Sequence, residues 1–389
     1  MFTPESKTII TLTGLSHFAV HSSMLFFPAL FIVLQNEFSA EAITLATLSW
    51  IYTLSNFMFG LGALPAGWIE GKVGGRKLLL VYQSGAAASA LFVAFSTSLT
   101  MLTIALVFLG LFSSIYHPAG LTIISRRIHQ TSRAMGYHGI AGSAGLAAGP
   151  LLASLAAVAG SWRWAYAGIG LFCLLLAGAT AVFIPAREGE TEEDVLKTEV
   201  TRMKPLVVYY LIAVFVGLTF YGFKTFMPVH FSMNATGLLE NWDVVVRGGL
   251  FSTIVVLAGI GGQIIGGRLG DKYNRPTLLA LIFLIHTPLL IAFGLNSGPS
   301  LLAFGILLGL VHFAYQPIGN SLIAQYTTSE NRGLGYGISF FLSFGLGSFA
   351  AGIGGSLAES HDGVQVVFPF VAIFMGCAFL LALYLRKIS

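Results

Sequence analysis

Long apolar runs, separated by short polar segments, dominate the chain. A run of about 20 residues is long enough to cross the roughly 30 Å hydrocarbon core of a bilayer as one helix. Twelve runs of about this length or more are predicted, at 8–34, 43–68, 78–96, 100–124, 135–160, 163–185, 204–229, 246–268, 277–295, 300–324, 333–357 and 365–386. They lack the polar and apolar alternation of barrel strands. The pattern therefore predicts an all-α membrane protein with 12 transmembrane helices, numbered here as spans 1 to 12.

The second half of this pattern repeats the first at a constant offset. Tyr116-His117-Pro118-Ala119-Gly120 in span 4 recurs as Tyr315-Gln316-Pro317-Ile318-Gly319 in span 10, and Arg133, Gly136 and Tyr137 recur as Arg332, Gly335 and Tyr336. Repeated halves are typical of secondary transporters, whose binding site lies between the halves near the bilayer midplane. We expect two six-helix bundles related by pseudo-two-fold symmetry, at 1–185 and 204–389, joined by an acidic cytoplasmic linker at 186–203.

Composition and charge fix the class and the orientation. Of the 389 residues, 56% are hydrophobic and 9% are charged, whereas soluble proteins carry about 25% charged residues. Most Lys and Arg fall in loops on one side, which places both termini in the cytoplasm by the positive-inside rule. We predict a multi-pass protein of the bacterial inner membrane that acts as a monomer and binds no nucleic acid. There is no nucleophile–base set and no phosphate-binding glycine loop, so we expect no enzyme activity and no resident cofactor or metal.

Two turns carry a family signature. The turn after span 8, Gly267-Arg-Leu-Gly-Asp271-Lys272-Tyr-Asn-Arg275, resembles the G-x-L-a-D-R-x-G-R motif of the major facilitator superfamily. The turn from Gly67 to Arg76 is a degenerate copy, with Lys72 at the position equivalent to Asp271. The resemblance implies that these residues help to lock the cytoplasmic gate. By symmetry, Asp271 is expected at the N-terminus of span 5, near Arg133 and Arg126, where the helix dipole favours a carboxylate.

Spans 1, 4 and 5 suggest a subgroup within that superfamily. Gly145-x-x-x-Gly149-Pro150 in span 5 resembles a signature of its exporters and favours close helix packing. Ser16-His17-Phe18 and His21 in span 1, with Tyr116-His117-Pro118 in span 4, look like the fosmidomycin-resistance type of bacterial exporter. The resemblance implies export of a phosphonate-like compound. His21 departs from it, because such proteins often carry an acidic or amide residue there.

None of the 16 acidic residues falls deep within a span, although many proton-coupled carriers use a buried carboxylate as relay. In the superfamily, spans 1, 4, 7 and 10 line the central cavity. The polar residues of these spans that we predict to bind substrate or protons are His17, His21, His117, Tyr221, Lys224, His312, Gln316 and Asn320. Lys224 has an alternative role, reaching the interface at the end of span 7. Of the other embedded histidines, His286 is expected to pack or face lipid, and His138 to lie at the inner rim of span 5.

A pocket with positive or switchable charge and no acid favours an anion, because a bound anion relieves the cost of burying a cation. Histidine titrates near neutral pH and can carry a coupling proton. The leading hypothesis is therefore proton-coupled export of a small organic anion or amphipathic drug by alternating access. One alternative is transport of a transition metal or metal chelate through a histidine site. Another is a non-transporting receptor or sensor built on a carrier fold.

Overall fold

The computed structural model describes residues 2–39, 43–128, 131–186, 200–328, 332–361 and 363–389. Within these ranges, the side chains of Gly71, Ser125, Thr131, Ser132, Arg133 and Arg332 are outside the description. Nearly all of the described chain is helical, and no strand occurs in these ranges. Apart from the first and last turns, the backbone N–H and C=O groups of a helix bond to one another, whereas lipid offers them no partner.

Twelve membrane helices match the predicted spans in order and position. They are α1 Pro4–Ala29, α2 Leu45–Val73, α3 Gly75–Ala94, α4 Leu99–Ser114 continued by Tyr116–Arg127, α5 Thr131–Ala159, α6 Arg163–Phe183, α7 Met203–Asn234, α8 Val244–Lys272, α9 Arg275–Leu295, α10 Gly298–Tyr326, α11 Arg332–Phe340 continued to Ser360, and α12 Val367–Ile388. A short helix, Phe31–Glu37, follows α1. In α11, a π-helical turn at Phe341–Gly345 and a 3-10 turn at Leu346–Ser348 interrupt the α-helix before Phe349–Ser360.

Eleven of these helical segments are long and apolar enough to cross a membrane. The remaining long helix is α2, which has 29 residues and carries the polar residues Tyr52, Thr53 and Asn56 in its first half. It is part of the same bundle, in contact with α4 and α11. The 12-helix prediction is therefore consistent with the structure.

Local sequence sets where the helices begin. The Thr3 hydroxyl accepts from the Ser6 amide to cap α1, the Asp243 carboxylate accepts from Val245 and Val246 to cap α8, and Asn274 caps α9. These side chains satisfy backbone N–H groups that have no partner within the helix. Between α2 and α3 the chain turns at Gly74, whose φ of 84° is the left-handed conformation that glycine adopts without a Cβ clash.

Helices α1–α6 form one half and α7–α12 the other, and the halves meet where α2 packs on α11 and α5 on α8. We call the end of the bundle that holds both termini the terminal side, and the opposite end the far side. On the terminal side Phe2 contacts Tyr137 at the start of α5, and Arg202 contacts Ser389. The linker predicted at 186–203 lies largely outside the described residues, because 187–199 are not described.

Candidate functional site

Gly145 and Gly149 of α5 bring this helix against α1. A Cβ at Gly145 would overlap the Phe18 backbone, and one at Gly149 would overlap the Ser22 carbonyl. The Ser22 hydroxyl donates to the Gly145 carbonyl at 3.1 Å. About one turn before Gly145 on α5, Gly142 leaves room for the His17 ring. Glycines with one-turn spacing therefore hold a polar face of α1 against α5 in the middle of the first half.

His17, His21 and His117 come together in this place. Each is buried, and each offers a nitrogen so that the three atoms lie within 4.8 Å of one another. The rings of His17 and His117 are 5.2 Å apart, and those of His21 and His117 are 5.5 Å apart. We call these three residues the histidine cluster. The predicted neighbourhood of spans 1 and 4 is present in the structure.

Hydrogen bonds fix the proton positions within the cluster. His17 Nδ1 lies 2.9 Å from the His138 carbonyl oxygen, which only accepts, so Nδ1 carries the proton. In the neutral ring Nε2 is then an acceptor, and His21 Nε2 donates to it at 2.9 Å. Neutral His21 is left with a bare Nδ1, which is buried without a partner among the described residues, as is Nε2 of His117. Two nitrogens of the cluster are therefore available to a proton or ligand.

Sequence reasoning placed His138 at the rim of span 5, but its ring is buried against the cluster. It stacks on the His17 ring at a centroid distance of 4.2 Å. Tyr116 stacks on both rings, and its hydroxyl donates to the Thr13 carbonyl at 2.6 Å. The spacing of His138 and Gly142, one helical turn apart, was the sequence signal that they share the face of α5 toward α1.

Lys224 lies inside the protein rather than at the membrane interface. The residue is 2% exposed, and its Nζ has no hydrogen-bond partner among the described residues. The amine lies 3.7 Å from the Tyr221 ring centroid and 4.7 Å from that of Phe220, as in a cation–π contact. It is close enough to His21 for the two groups to interact electrostatically. Lys224 is thus a buried amine beside the histidine cluster, contributed by the other half.

Tyr221 joins the two halves directly. Its hydroxyl donates to Asn56 Oδ1 on α2 at 2.9 Å, and the Asn56 amide donates to the Tyr52 carbonyl. The Tyr52 ring also faces Lys224, at 5.7 Å from Nζ. The polar residues of α2 therefore belong to the same region as the histidine cluster and Lys224.

The three predicted residues of α10 are not part of the histidine cluster. His312 is buried inside the second half, where Nδ1 is 3.2 Å from His286 Nε2 on α9 and the ring stacks on Phe220. His286, expected to pack or face lipid, is fully buried in this pair. Gln316 and Asn320 are exposed; Gln316 accepts from Gln263, which in turn accepts from Ser143 of α5. Equal spacing along α10 did not place these side chains in one site.

The gating residues are distributed over the terminal side. Arg76 donates to the carbonyls of Ile184 and Ala181 at the end of α6, and Arg275 donates to Gln325. Asp271 is exposed, and Arg126, expected beside it, pairs with Glu70 of its own half at 3.2 Å.

The two glycines of the gating motifs have open space around them. An added Cβ would meet nothing within 4 Å at Gly67 and only Pro317 at Gly267. The Arg133 side chain lies outside the described residues.

The described acidic residues are kept away from the middle of the bundle. Glu70 lies in the last turn of α2 on the terminal side, paired with Arg126. On the far side, Glu37 pairs with Arg163 at 2.6 Å and accepts from the Trp162 indole. Around the histidine cluster and Lys224, the described chain places imidazole, amine, phenol and amide groups and no carboxylate. This arrangement suits a mobile anion or proton rather than a fixed ion pair.

Comparison with known proteins gives the family. A family model for the Major Facilitator Superfamily matches residues 12–285 and 241–389. No protein of curated function matches the chain by sequence.

Among solved structures, the fold is similar to that of a bacterial homolog of the human lysosomal transporter Spinster, in an inward-facing and occupied conformation, with a TM-score of 0.80 and 14% identity over 100% of this chain and 98% of that one. It is also similar to the nucleoside transporter NupG, with a TM-score of 0.79 and 12% identity over 98% and 99% of the chains. A POT family transporter in complex with 5-aminolevulinic acid gives a TM-score of 0.77 and 13% identity over 99% and 96%. At these identities the likeness concerns the fold.

Proposed function

Because the chain belongs to the Major Facilitator Superfamily and is a membrane-embedded secondary transporter rather than an enzyme, we propose that it couples movement of a small organic anion to protons. The proposed carrier lies in the bacterial inner membrane with both termini in the cytoplasm, and exports its substrate by alternating access. One observation supports the anion above all others. It is the buried amine of Lys224, without a hydrogen-bonding or acidic partner in the described chain, beside three buried histidines.

The physical argument for an anion is the cost of an isolated buried cation. Moving an ammonium out of water without a counter-charge is costly, even with the partial compensation of the Tyr221 and Phe220 ring faces. A carboxylate, phosphate or phosphonate next to Nζ removes that cost. The site is then more stable with its substrate than without it, which is a source of binding free energy.

The histidine cluster supplies the proposed proton site. His21 Nδ1 and His117 Nε2 are buried nitrogens without partners in the described structure, whereas both nitrogens of His17 are engaged. A proton arriving at the cluster therefore goes to His21 or His117. Both residues belong to the first half and Lys224 to the second, so proton and anion act across the boundary that opens and closes in alternating access.

The export direction and a phosphonate-like substrate follow from the resemblance to the fosmidomycin-resistance type. An amphipathic drug with an anionic group would satisfy the same charges. A bound proton and a bound anion attract each other, so electrostatics makes their binding cooperative. Export in exchange for protons requires them to cross the membrane in opposite directions. The direction of anion movement relative to protons therefore needs its own measurement, separate from binding.

The test is transport in proteoliposomes that hold fosmidomycin and a pH-sensitive dye. With an imposed pH gradient, we expect the wild-type protein to move fosmidomycin and protons in opposite directions, and an uncoupler to abolish the gradient-driven part. Lys224→Gln should abolish fosmidomycin movement by removing the cation. His21→Asn and His117→Asn should leave facilitated movement but uncouple it from the gradient. His286→Asn is the matched control, because it removes a buried histidine of the second half.

Two outcomes would contradict the proposal. Unchanged gradient-driven flux in both cluster variants would eliminate the histidine relay. A panel of small phosphonates, phosphates and carboxylates that raises the melting temperature of neither wild type nor His286→Asn would eliminate the anion, because a ligand of the folded state must stabilise it.

A further inference from the structure

The histidine cluster has the donor set of a transition-metal site. Three imidazoles converge with ligand atoms within 4.8 Å of one another, and all three rings are buried. Imidazole nitrogen is the ligand that zinc, copper and nickel share, whereas magnesium and calcium prefer oxygen. Because His117 Nε2 has no partner in the described structure, the cluster retains unused ligand capacity.

The environment of His17 is that of a metal-ligating histidine. Such a histidine usually donates its second N–H to a carbonyl or carboxylate, which fixes the ring and directs the other nitrogen to the metal. His17 Nδ1 makes this bond to the His138 carbonyl, and Nε2 points to His21. The ring is further held between the His138 ring and the space left by Gly142.

The spacing of the nitrogens requires only a small adjustment. Zinc–nitrogen bonds of 2.0–2.1 Å separate two ligands of a tetrahedral ion by about 3.3 Å. His17 Nε2 and His21 Nε2 are now 2.9 Å apart and share a proton. Opening this pair by a few tenths of an ångström, with the proton of His21 moving to Nδ1, would leave two lone pairs directed at one ion. His117 lies within reach as the third ligand.

We propose that His17, His21 and His117 bind a late first-row divalent metal ion such as Zn²⁺, Ni²⁺ or Co²⁺, with an anion that Lys224 holds as the fourth ligand. The anion is required by charge. Three neutral imidazoles do not offset the charge of a divalent ion, and no carboxylate lies beside the cluster among the described residues. Of this proposal, only the role of Lys224 rests on the proposed function; the three-histidine site does not.

The experiment uses the full-length protein, purified through an affinity tag other than polyhistidine and treated with a chelator. Co²⁺ is the probe, because a tetrahedral nitrogen-ligated ion gives strong visible absorption that an octahedral aqueous ion lacks. We expect one Co²⁺ per chain, displaced by Zn²⁺. His21→Ala and His117→Ala should each weaken binding by about tenfold or more. A His286→Ala/His312→Ala double variant, which removes the buried pair of the second half, should bind Co²⁺ as wild type.

Lys224→Gln tests the fourth ligand. In wild type, adding acetate or inorganic phosphate should tighten Co²⁺ binding and shift its spectrum, and in Lys224→Gln the metal should still bind without this response. Size-exclusion profiles and melting temperatures identify any variant that fails to fold. In such a case, His117→Gln replaces alanine, because the amide fills the space of the ring and is a poor ligand for these ions.

Three results would overturn the metal site: octahedral Co²⁺ spectra in wild type, binding that survives loss of both His21 and His117, or equal loss in the double variant of the second half. The proposed function is assayed independently, by fosmidomycin flux in the presence of chelator. Fosmidomycin flux without metal binding would eliminate the metal site and leave the proposed anion carrier intact. Metal binding without fosmidomycin flux would support the metal site and eliminate the proposed anion carrier.

Discussion

At the scale of single residues, the histidine cluster depends on Gly142, a residue without a side chain. Gly142 faces α1, and a Cβ there would overlap the imidazole of His17. Gly139, nearly one turn earlier on the same helix, has nothing within 4 Å of an added Cβ. The bond between His17 Nδ1 and the His138 carbonyl exists because the ring can lie flat against α5 at Gly142. One hydrogen atom in place of a methyl group therefore allows the hydrogen bond that sets the tautomer of His17 and, through it, that of His21.

We expect Gly142→Ala to displace His17 and impair transport, and Gly139→Ala to be tolerated. Overpacking a buried contact costs about 1–3 kcal/mol, whereas alanine in an open helical position favours the helix. Flux in proteoliposomes and the melting temperature in detergent measure the two effects. Equal behaviour of the two variants would show that the packing of α5 on α1 does not position His17.

At the scale of the helix, α11 is where regular structure gives way. Its π-helical turn at Phe341–Gly345 and 3-10 turn at Leu346–Ser348 pack against glycines, Gly60 of α2 and Gly217 of α7. π-turns inside α-helices often occur at functional sites. Just before the turn, Phe340 stacks on His117 with ring centroids 5.1 Å apart. The irregular part of α11 therefore begins immediately after the residue that contacts the histidine cluster from the other half.

Phe340→Leu should slow transport because it keeps the apolar bulk but removes the stack on His117. An aromatic pair contributes about 0.5–1.5 kcal/mol beyond its buried area, which corresponds to about a two- to tenfold change in rate. The matched control is Phe349→Leu, in the same helix, whose ring contacts Trp50 and Phe57 instead. Initial fosmidomycin flux is the measurement. If Phe349→Leu slowed the flux as much as Phe340→Leu or more, the stack of Phe340 on His117 would have no special role in transport.

The same scale shows what the sequence could predict. The hydrophobic runs predicted the twelve helices, because each span meets the demands of the bilayer independently of its neighbours. The meeting of His17, His21 and His117 followed from helical spacing and the expected cavity-lining spans. The sequence did not predict three other features: the π-turn of α11, the pairing of His312 with His286, and the burial of His138. These depend on contacts between helices far apart in sequence, and on rotations of less than one turn that spacing does not fix.

At the scale of the whole molecule, hydrogen bonds join the two halves directly. Thr53 and Ser348 exchange hydrogen bonds between hydroxyls and carbonyls, and Thr253 of α8 donates to the Ala147 carbonyl of α5 at 2.6 Å. Toward the terminal side, an added Cβ at Gly337 of α11 would reach only Leu64 of α2, at 3.9 Å, and Ser143 of α5 donates to Gln263 of α8 at 3.2 Å. Exposed Gln316, which accepts from Gln263, lies on this side. We expect alternating access to require the hydrogen bonds of Thr53 with Ser348 and of Thr253 with Ala147 to break.

A cross-link between positions 53 of α2 and 348 of α11 should stop transport. In a chain whose Cys173 and Cys377 are replaced by Ser, we expect oxidation of a Thr53→Cys/Ser348→Cys pair to abolish fosmidomycin flux and reduction to restore it, because the far side can no longer separate. The control pair, Ser16→Cys with Gln83→Cys, joins residues that hydrogen-bond within the first half. If the halves move as rigid bodies, cross-linking it leaves flux unchanged. Normal flux through the oxidised Thr53→Cys/Ser348→Cys protein would mean that the substrate path does not require the far side to open between α2 and α11.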